Sequence, residues 1–402
     1  MKTFEQMQKE YAELIVFLNL QKGQNLLIKA PMEAVEFVKL VAKVAYQAAQ
    51  EIFYRRGNEE LDLIKYQHAP DEVFDTVPQW IEDGYVHELK NNCAQLSLYM
   101  QDPELLKEVD PQKVSRLMQA QAKSKHEYRK LISENWTNWT IAAIPTVGRA
   151  NHIYQSGNTE ENIQKLRNQI FHLVRVDQED PLAWGNHIKN LNHYAEYLNS
   201  QQFTTLHYQG ENTDLMVLPK GHRWICAGNT TTRDGISFCP NLPTEEVFSA
   251  PHKYEVDGII SSTLPLEHNG KMIDKFWLKF EKGKVIDFAE EGYESLKALL
   301  ETDEAKRLEV AIVPINSPIY ESKLIYSNTL FDENASCHFA LGSSYPDTIA
   351  NGEAMNAEQK DQAGMNESLI HVDFMVGNEK LSITGIRENE EVRFFEHGKW
   401  NI

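Results

Sequence analysis

The sequence predicts an α/β N-terminal domain with a parallel sheet, followed by a β-rich α+β domain. Three observations carry this reading. A strand, helix, strand pattern runs from Gln24 to Arg56; further apolar strand runs alternate with helical stretches as far as Pro145; and after Thr204 short β-type runs punctuated by Gly, Pro and Asn take over. The divide falls at residues 1–200 and 201–402, since a chain of 402 residues exceeds what one hydrophobic core usually supports.

Taken in order, MKTFEQMQKEYAEL is a charged helix start without the apolar stretch of a signal peptide. NLLIKAP is a short apolar run. Met32 to Ala49 then carries Val35, Val38, Val41, Ala42 and Ala45 at helical spacing, and EIFYRR follows as a second strand. A right-handed crossover of this kind makes the two strands parallel neighbours. QLSLYM and WTIAAIP are further strands, separated by a predicted helix over Pro111 to Ile132 with Asp110 as its N-cap. The sheet carries no GxGxxG or GxxxxGK[ST] cradle, so no nucleotide is expected on it. Residues Asn158 to Ser200 are helical and polar and bridge the two halves. Beyond them come TLHYQG, DLMVLP, HRWICAG, GIISSTLPL, KFWLKFEKGKVIDFAE, EVAIVP, SLIHVDFMVG, LSITGI and EVRFFEHGKW, with helices expected at Gly292 to Leu300 and Ala354 to Met365.

Composition narrows the partners. Forty Lys plus Arg against 59 Asp plus Glu give a net charge of -19, which repels phosphate backbones and argues against nucleic acid. No apolar run is long enough for a bilayer, and a cytoplasmic location is expected. Cys93, Cys226, Cys239 and Cys337 form no CxxC pair and are expected to be buried reduced thiols.

Four stretches concentrate the chemistry. In HVDFMVG, His371 and Asp373 stand two apart on a strand and project from one face. Alone, an HxD is weak, because a half-exposed strand carries polar residues outward anyway. LFDENASCHFALGSSYP brings Asp332, Glu333, Asn334, His338 and Tyr345 into a segment rich in small residues, as expected of a loop or short helix closing over a site; a capped helix accounts for it equally well. In RLEVAIVP, Glu309 opens an apolar run, where a carboxylate must be solvated, paired or bound to a cation. PTEEVFSAP offers Glu245 and Glu246, and in an extended segment only one of them aims at a common centre. Oxygen and nitrogen donors of this mix suit zinc, cobalt or manganese, and bridging carboxylates favour a pair of ions over one.

Over nearly its whole length the chain resembles the thermophilic metalloaminopeptidase family of aminopeptidase T, aminopeptidase S and PepS. The segments that carry the resemblance are LIKAPMEAVEFVKLVAKVAYQAAQEI, KYQHAPDEVF, WTIAAIPT, TDLMVLPKGHRW, NLPTEEVFSAP, LFDENASCHFALGSSYP and HVDFMVG. It implies a two-metal site whose ligands are Glu246 (or Glu245), Glu309, His338, Tyr345, His371 and Asp373. Glu246 and Glu309 would bridge the ions or move the proton, and Tyr345 would ligate a metal or donate to the oxyanion. The implied activity is release of N-terminal amino acids from short peptides through a metal-activated water, in a homodimer. Two departures stand out: the family usually has a Gly before the strand glutamate, as in LGEVAL, where Leu308 precedes Glu309 here; and Val147, Gly148 and Arg149 stand where it tends to have a Trp. The rival expectation is a non-catalytic homologue that kept the fold and a metal or peptide site. A two-metal phosphoesterase fits less well, since no basic cluster accompanies the candidate ligands.

Overall fold

Parallel strands with helices between them organise the first third of the chain in the computed structural model, which describes residues 2–268, 271–289, 293–303, 305, 307–388 and 390–402. Helix α1 (Phe4–Asn19) starts from a capping box in which the Thr3 hydroxyl and the Gln6 side chain satisfy each other's backbone N–H groups. Then come β1 (Leu26–Pro31), α2 (Val35–Ala45), β2 (Ile52–Gly57), α3 (Glu59–His68), α4 (Gln79–Lys90) and β3 (Ala94–Tyr99), followed by α5 (Pro111–Ser124), α6 (His126–Ser133) and β4 (Trp139–Ala143). The stretch expected as one helix over Pro111 to Ile132 is two. Asp110 does cap it, accepting from the Gln112 N–H, but the helix stops at Ser124 and restarts at His126. Helices α7 (Val147–Tyr154), α8 (Thr159–Leu173) and α9 (Ala183–Gln201) complete the helical part.

Short strands dominate from there: β5 (Thr205–Gly210), β6 (Thr213–Val217), β7 (Ile225–Cys226), β8 (Thr230–Thr231), β9 (Ser237–Phe238), β10 (Asn241–Leu242), β11 (Val247–Ser249) and β12 (Val256–Ser261). The chain continues with β13 (Leu266–His268), β14 (Lys271–Ile273), β15 (Trp277–Glu281), β16 (Lys284–Phe288), α10 (Tyr293–Leu300) and β17 (Leu308–Ile312). It ends with α11 (Pro318–Ser322), α12 (Thr329–Asp332), β18 (His338–Gly342), α13 (Ala357–Gln362), β19 (His371–Met375), β20 (Ser382–Arg387), β21 (Glu390–Glu396) and β22 (Lys399–Trp400). The expected helix at Gly292 to Leu300 is α10; Gly292 itself lies outside the described residues.

Two compact units result. The first holds Met1–His187 together with Gly228–Pro243, and the second holds Ile188–Ala227 and Thr244–Ile402. In the first, β10-β4-β3-β1-β2 form a wholly parallel sheet, and the returning segment supplies β10 at its edge. In the second, an eight-stranded antiparallel sheet (β16-β15-β12-β6-β5-β20-β21-β22) and a five-stranded one (β19-β18-β17-β11-β7) share a single apolar core. Leu206, Tyr208, Leu215, Ile260, Leu278 and Ile383 enter it from the larger sheet; Val247, Leu308, Val310, Ile312, Phe339, Leu341 and Phe374 enter it from the smaller. Tyr208 meets Phe339 edge-on at 5.1 Å between ring centroids. Because side chains alternate along a strand, one face of the five-stranded sheet is committed to this core and the other is left for different residues. All four cysteines are buried, and none of them is in a disulfide. Among the described residues no helix is long and apolar enough to cross a membrane.

Candidate metal centre

The face of the five-stranded sheet turned away from the core collects the candidate ligands through register. On β17, β18 and β19, Glu309, Ala340 and Asp373 lie opposite one another across the three strands. His338 pairs with Ala311 on one side and Met375 on the other, while His371 pairs with Gly342. Cross-strand partners share a face, so Glu309, His338, His371 and Asp373 all project from the same side. On β11, Phe248 pairs with Ala311, which places it on that side too, and Glu246 stands two residues before it. Three of the positions that share this face with the candidate ligands are small, Ala311, Ala340 and Gly342.

His338 is therefore a strand residue, in the second strand of the sheet, and not part of the loop or short helix expected for LFDENASCHFALGSSYP. Only the beginning of that segment is helical. Asp332 folds back to accept the Tyr326 and Asn328 N–H groups at 2.9 Å each, a local structural task. Asn334, fully buried, accepts the Glu245 N–H at 2.6 Å and donates to the Leu330 carbonyl at 3.1 Å and the Glu333 carboxylate at 3.4 Å. It thereby ties the Thr244 to Glu246 stretch to the turn preceding β18.

The contacts within the cluster are short. His338 Nε2 is 3.0 Å from Glu246 Oε2 and 3.9 Å from Asp373 Oδ1, and His371 Nε2 is 3.4 Å from Asp373 Oδ1. Of the two adjacent glutamates, Glu246 is the one that reaches His338. Each imidazole is oriented from behind, His338 Nδ1 by the Ser336 carbonyl at 3.3 Å and His371 Nδ1 by the Ser343 carbonyl at 2.7 Å. Glu309, second residue of its strand despite the Leu308 before it, accepts the Tyr345 N–H at 2.7 Å. The Tyr345 ring stands 4.9 Å from that of His371 and 5.8 Å from that of Phe248.

Electrostatics join one more residue to the set. Burial pushes the Glu333 carboxyl well above its usual range, and the charges of Asp373, Glu246 and Asp332 push it further. Glu333 is 8 % exposed and so belongs to the same cluster. In the sequence Glu333 stands in DEN, outside the ligand set that the resemblance implies; its signal is a carboxylate five residues before the histidine of ENASCH. Burial likewise raises Glu309 to about 8, against the opposing pull of His371 and the Tyr345 N–H. For His371 burial disfavours the charge, but Asp373 and Glu309 outweigh it and raise the imidazole to about 10. His338 is raised in the same way by Glu246 and Asp373 against its own burial. Asp373 is held below its ordinary value because both imidazolium groups outweigh its desolvation. Burial, then the surrounding carboxylates, raise the Tyr345 phenol, which therefore keeps its proton.

Four carboxylates and two imidazoles in one buried cluster are a donor set for a hard or borderline divalent cation, which would lift the cost that drives Glu309 and Glu333 toward neutrality. Among the described residues no three His, Cys, Asp or Glu side chains stand ready as a group that could hold a metal ion. Glu246 and Asp373 pair with the two imidazoles, Glu309 accepts the Tyr345 N–H, and Glu333 accepts from Asn334.

Comparison with known proteins agrees over the full length. Residues 4–400 match the family described as thermophilic metalloprotease (M29). The chain is 41% identical to Aminopeptidase 2 of Geobacillus stearothermophilus, covering 100% of this chain and 99% of that one. It is 39% identical to Aminopeptidase AmpS of Bacillus subtilis (strain 168), covering 100% of both chains. The solved structure of wild-type AmpT from Thermus thermophilus superposes with a TM-score of 0.91 at 36% identity, again over 100% of each chain. A 2,5-dihydroxypyridine dioxygenase from Pseudomonas putida KT2440 reaches 0.54 at 10% identity, which is a likeness of fold alone.

Proposed function

We infer the reaction from a settled premise: this chain belongs to the thermophilic metalloprotease family (M29). Relatives across its whole length are named aminopeptidases, and on that ground it is a metalloaminopeptidase, a hydrolase acting on peptide N-termini. The non-catalytic alternative is not favoured. The observation that carries the reading at the level of residues is the convergence of Glu246, Glu309, His338, His371 and Asp373 on one face of one sheet, with Glu333 and Tyr345 beside them.

We propose that these residues hold two divalent cations, zinc, cobalt or manganese, with short peptides as substrates and a homodimer as the working assembly. When bound, such ions polarise the scissile carbonyl and lower the pKa of water. The protein's own groups supply the rest. His338 and His371, oriented by backbone carbonyls, present Nε2 to the centre. Glu309 or Glu246 takes the proton of the attacking water and delivers it to the leaving amine, a task suited to a carboxylate held beside the reacting groups. Tyr345, protonated at neutral pH, donates its hydrogen to the oxygen on which charge develops. A carboxylate of the cluster receives the substrate's free α-ammonium group, which makes cleavage depend on an open N-terminus.

Two measurements test this. A chelator should abolish hydrolysis of an aminoacyl chromogenic substrate, with cobalt, zinc or manganese restoring it, and metal analysis should find two ions per active chain. An N-acetylated peptide should resist cleavage. Turnover that survives chelation ends the metal assignment, and cutting of the acetylated peptide ends the exopeptidase assignment.

A further inference from the structure

A polar row crosses the parallel sheet of the first unit and involves none of the candidate ligands. Strands buried on both faces are normally apolar, yet on β1 Lys29 is flanked in register by Arg55 of β2 and Ser97 of β3. Two helices cover the row with aromatic rings instead of carboxylates. Lys29 Nζ lies 4.5 Å from the ring centre of Tyr85 on α4 and 4.2 Å from that of Tyr128 on α6, and it donates to Tyr128 Oη at 2.7 Å. The Arg55 guanidinium stands 5.0 Å from the same Tyr85 ring centre. Among the described residues no carboxylate comes within 4.0 Å of Lys29 Nζ; Glu82 of α4, 3 % exposed, acts on it from further away.

Half-buried, hydrogen-bonded to a phenol and beside two other cations, Lys29 has the surroundings that turn an ammonium into a nucleophilic amine. Burial, then Arg55, lower its pKa to about 7, with Lys125 adding to the effect and Glu82 and Cys93 opposing it. Lys125 is itself lowered by burial, and by Arg129 and Arg55.

We propose that Lys29 is a covalent amine site that takes up a small aldehyde bearing an anionic group as an imine, with Arg55 and Lys125 receiving that group and Tyr128 relaying the proton. The Nζ lone pair attacks the carbonyl carbon and the C–N bond forms. The former carbonyl oxygen collects the two amine protons by way of Tyr128 Oη and leaves as water. Amine plus aldehyde thus give imine plus water, with no oxidant or reductant consumed.

The test uses the full chain, pyridoxal 5′-phosphate as the probe, cyanoborohydride to trap the imine, and peptide mass mapping. At neutral pH Lys29 should be labelled at least about 10-fold faster than the exposed Lys9 and Lys39, each of which is paired with a carboxylate on its own helix. Tyr128→Phe keeps the ring over the amine and removes the relay, so trapping at Lys29 should slow several-fold. Inorganic phosphate should compete with the probe, and an uncharged aldehyde should label Lys29 more slowly than the phosphorylated one. Labelling of Lys9 and Lys39 as fast as Lys29 overturns the proposal, as does an unchanged rate in Tyr128→Phe. Equal rates for charged and uncharged aldehydes overturn the assigned ligand class.

Discussion

At the scale of single residues, what the cluster lacks in bulk matters as much as its donors. Ala340 sits in register between Glu309 and Asp373, so Ala340→Val would push two methyl groups into the space a cation needs. Metal content per chain should fall with turnover while the chain stays folded, since overpacking costs about 1–3 kcal/mol; undiminished metal binding would refute the idea that small residues hold the space open. Tyr345→Phe separates two roles that the sequence leaves open. If the phenol donates to the oxyanion, kcat should fall by roughly 10²-fold with KM and bound metal little changed. Loss of metal from the variant would make it a ligand instead. Which residues belong was partly readable in advance: HxD spacing puts His371 and Asp373 on one face of any strand. Glu333 was harder, because a residue in the turn before β18 gains its meaning only from the charges of Asp373 and Glu246 brought next to it by pairing.

At the scale of elements, the two faces of the five-stranded sheet divide the work, one holding the donors and the other the core. Phe374 is fully buried and alternates with Asp373 along β19, packing 5.4 Å from Phe276 and 6.3 Å from Phe339 by ring centroids. Phe374→Ala should cost about 3–5 kcal/mol, read from urea unfolding, although its side chain lies in the apolar core and not among the candidate donors. A loss under 1 kcal/mol would show that the aromatic layer does not set the sheet's stability. Two strands of this sheet were legible, EVAIVP as an apolar run and HVDFMVG by polar residues two apart. β18 was not, because His338–Gly342 is buried throughout and small residues interrupt its apolar positions, leaving no alternation to read. The break between α5 and α6 at Lys125 was equally hidden, as no Gly or Pro marks it.

At the scale of the molecule, acid should unfold the second unit partly through His222. This imidazole is half-buried, its Nε2 lies 3.1 Å from the Ala363 carbonyl, and desolvation lowers its pKa to about 4. Between that value and the unfolded value near 6.5 the unfolded chain binds the extra proton, so stability falls as pH drops through this window, by on the order of 2 kcal/mol. His222→Gln cannot titrate; its stability loss from pH 7 to pH 4.5 in urea titrations should be smaller than the parent's, and equal losses would remove His222 from the acid limb. The change from parallel to short antiparallel strands was plain in the sequence. The return of residues 228–243 to the first sheet was not, since β10 is two residues long and carries no distinguishing pattern. The strand order has a consequence for how the protein is made. β17, β18 and β19 are successive neighbours, but β11 reaches β17 only across an interval of chain that must first lay down β12, β15 and β16 in the other sheet. During synthesis the three later ligand strands can zip together soon after they emerge, whereas the partner carrying Glu246 has been waiting since well before them. Metal uptake at the proposed ligands would then be a late event in biogenesis, a sign that the most distant pairing of the five-stranded sheet has closed.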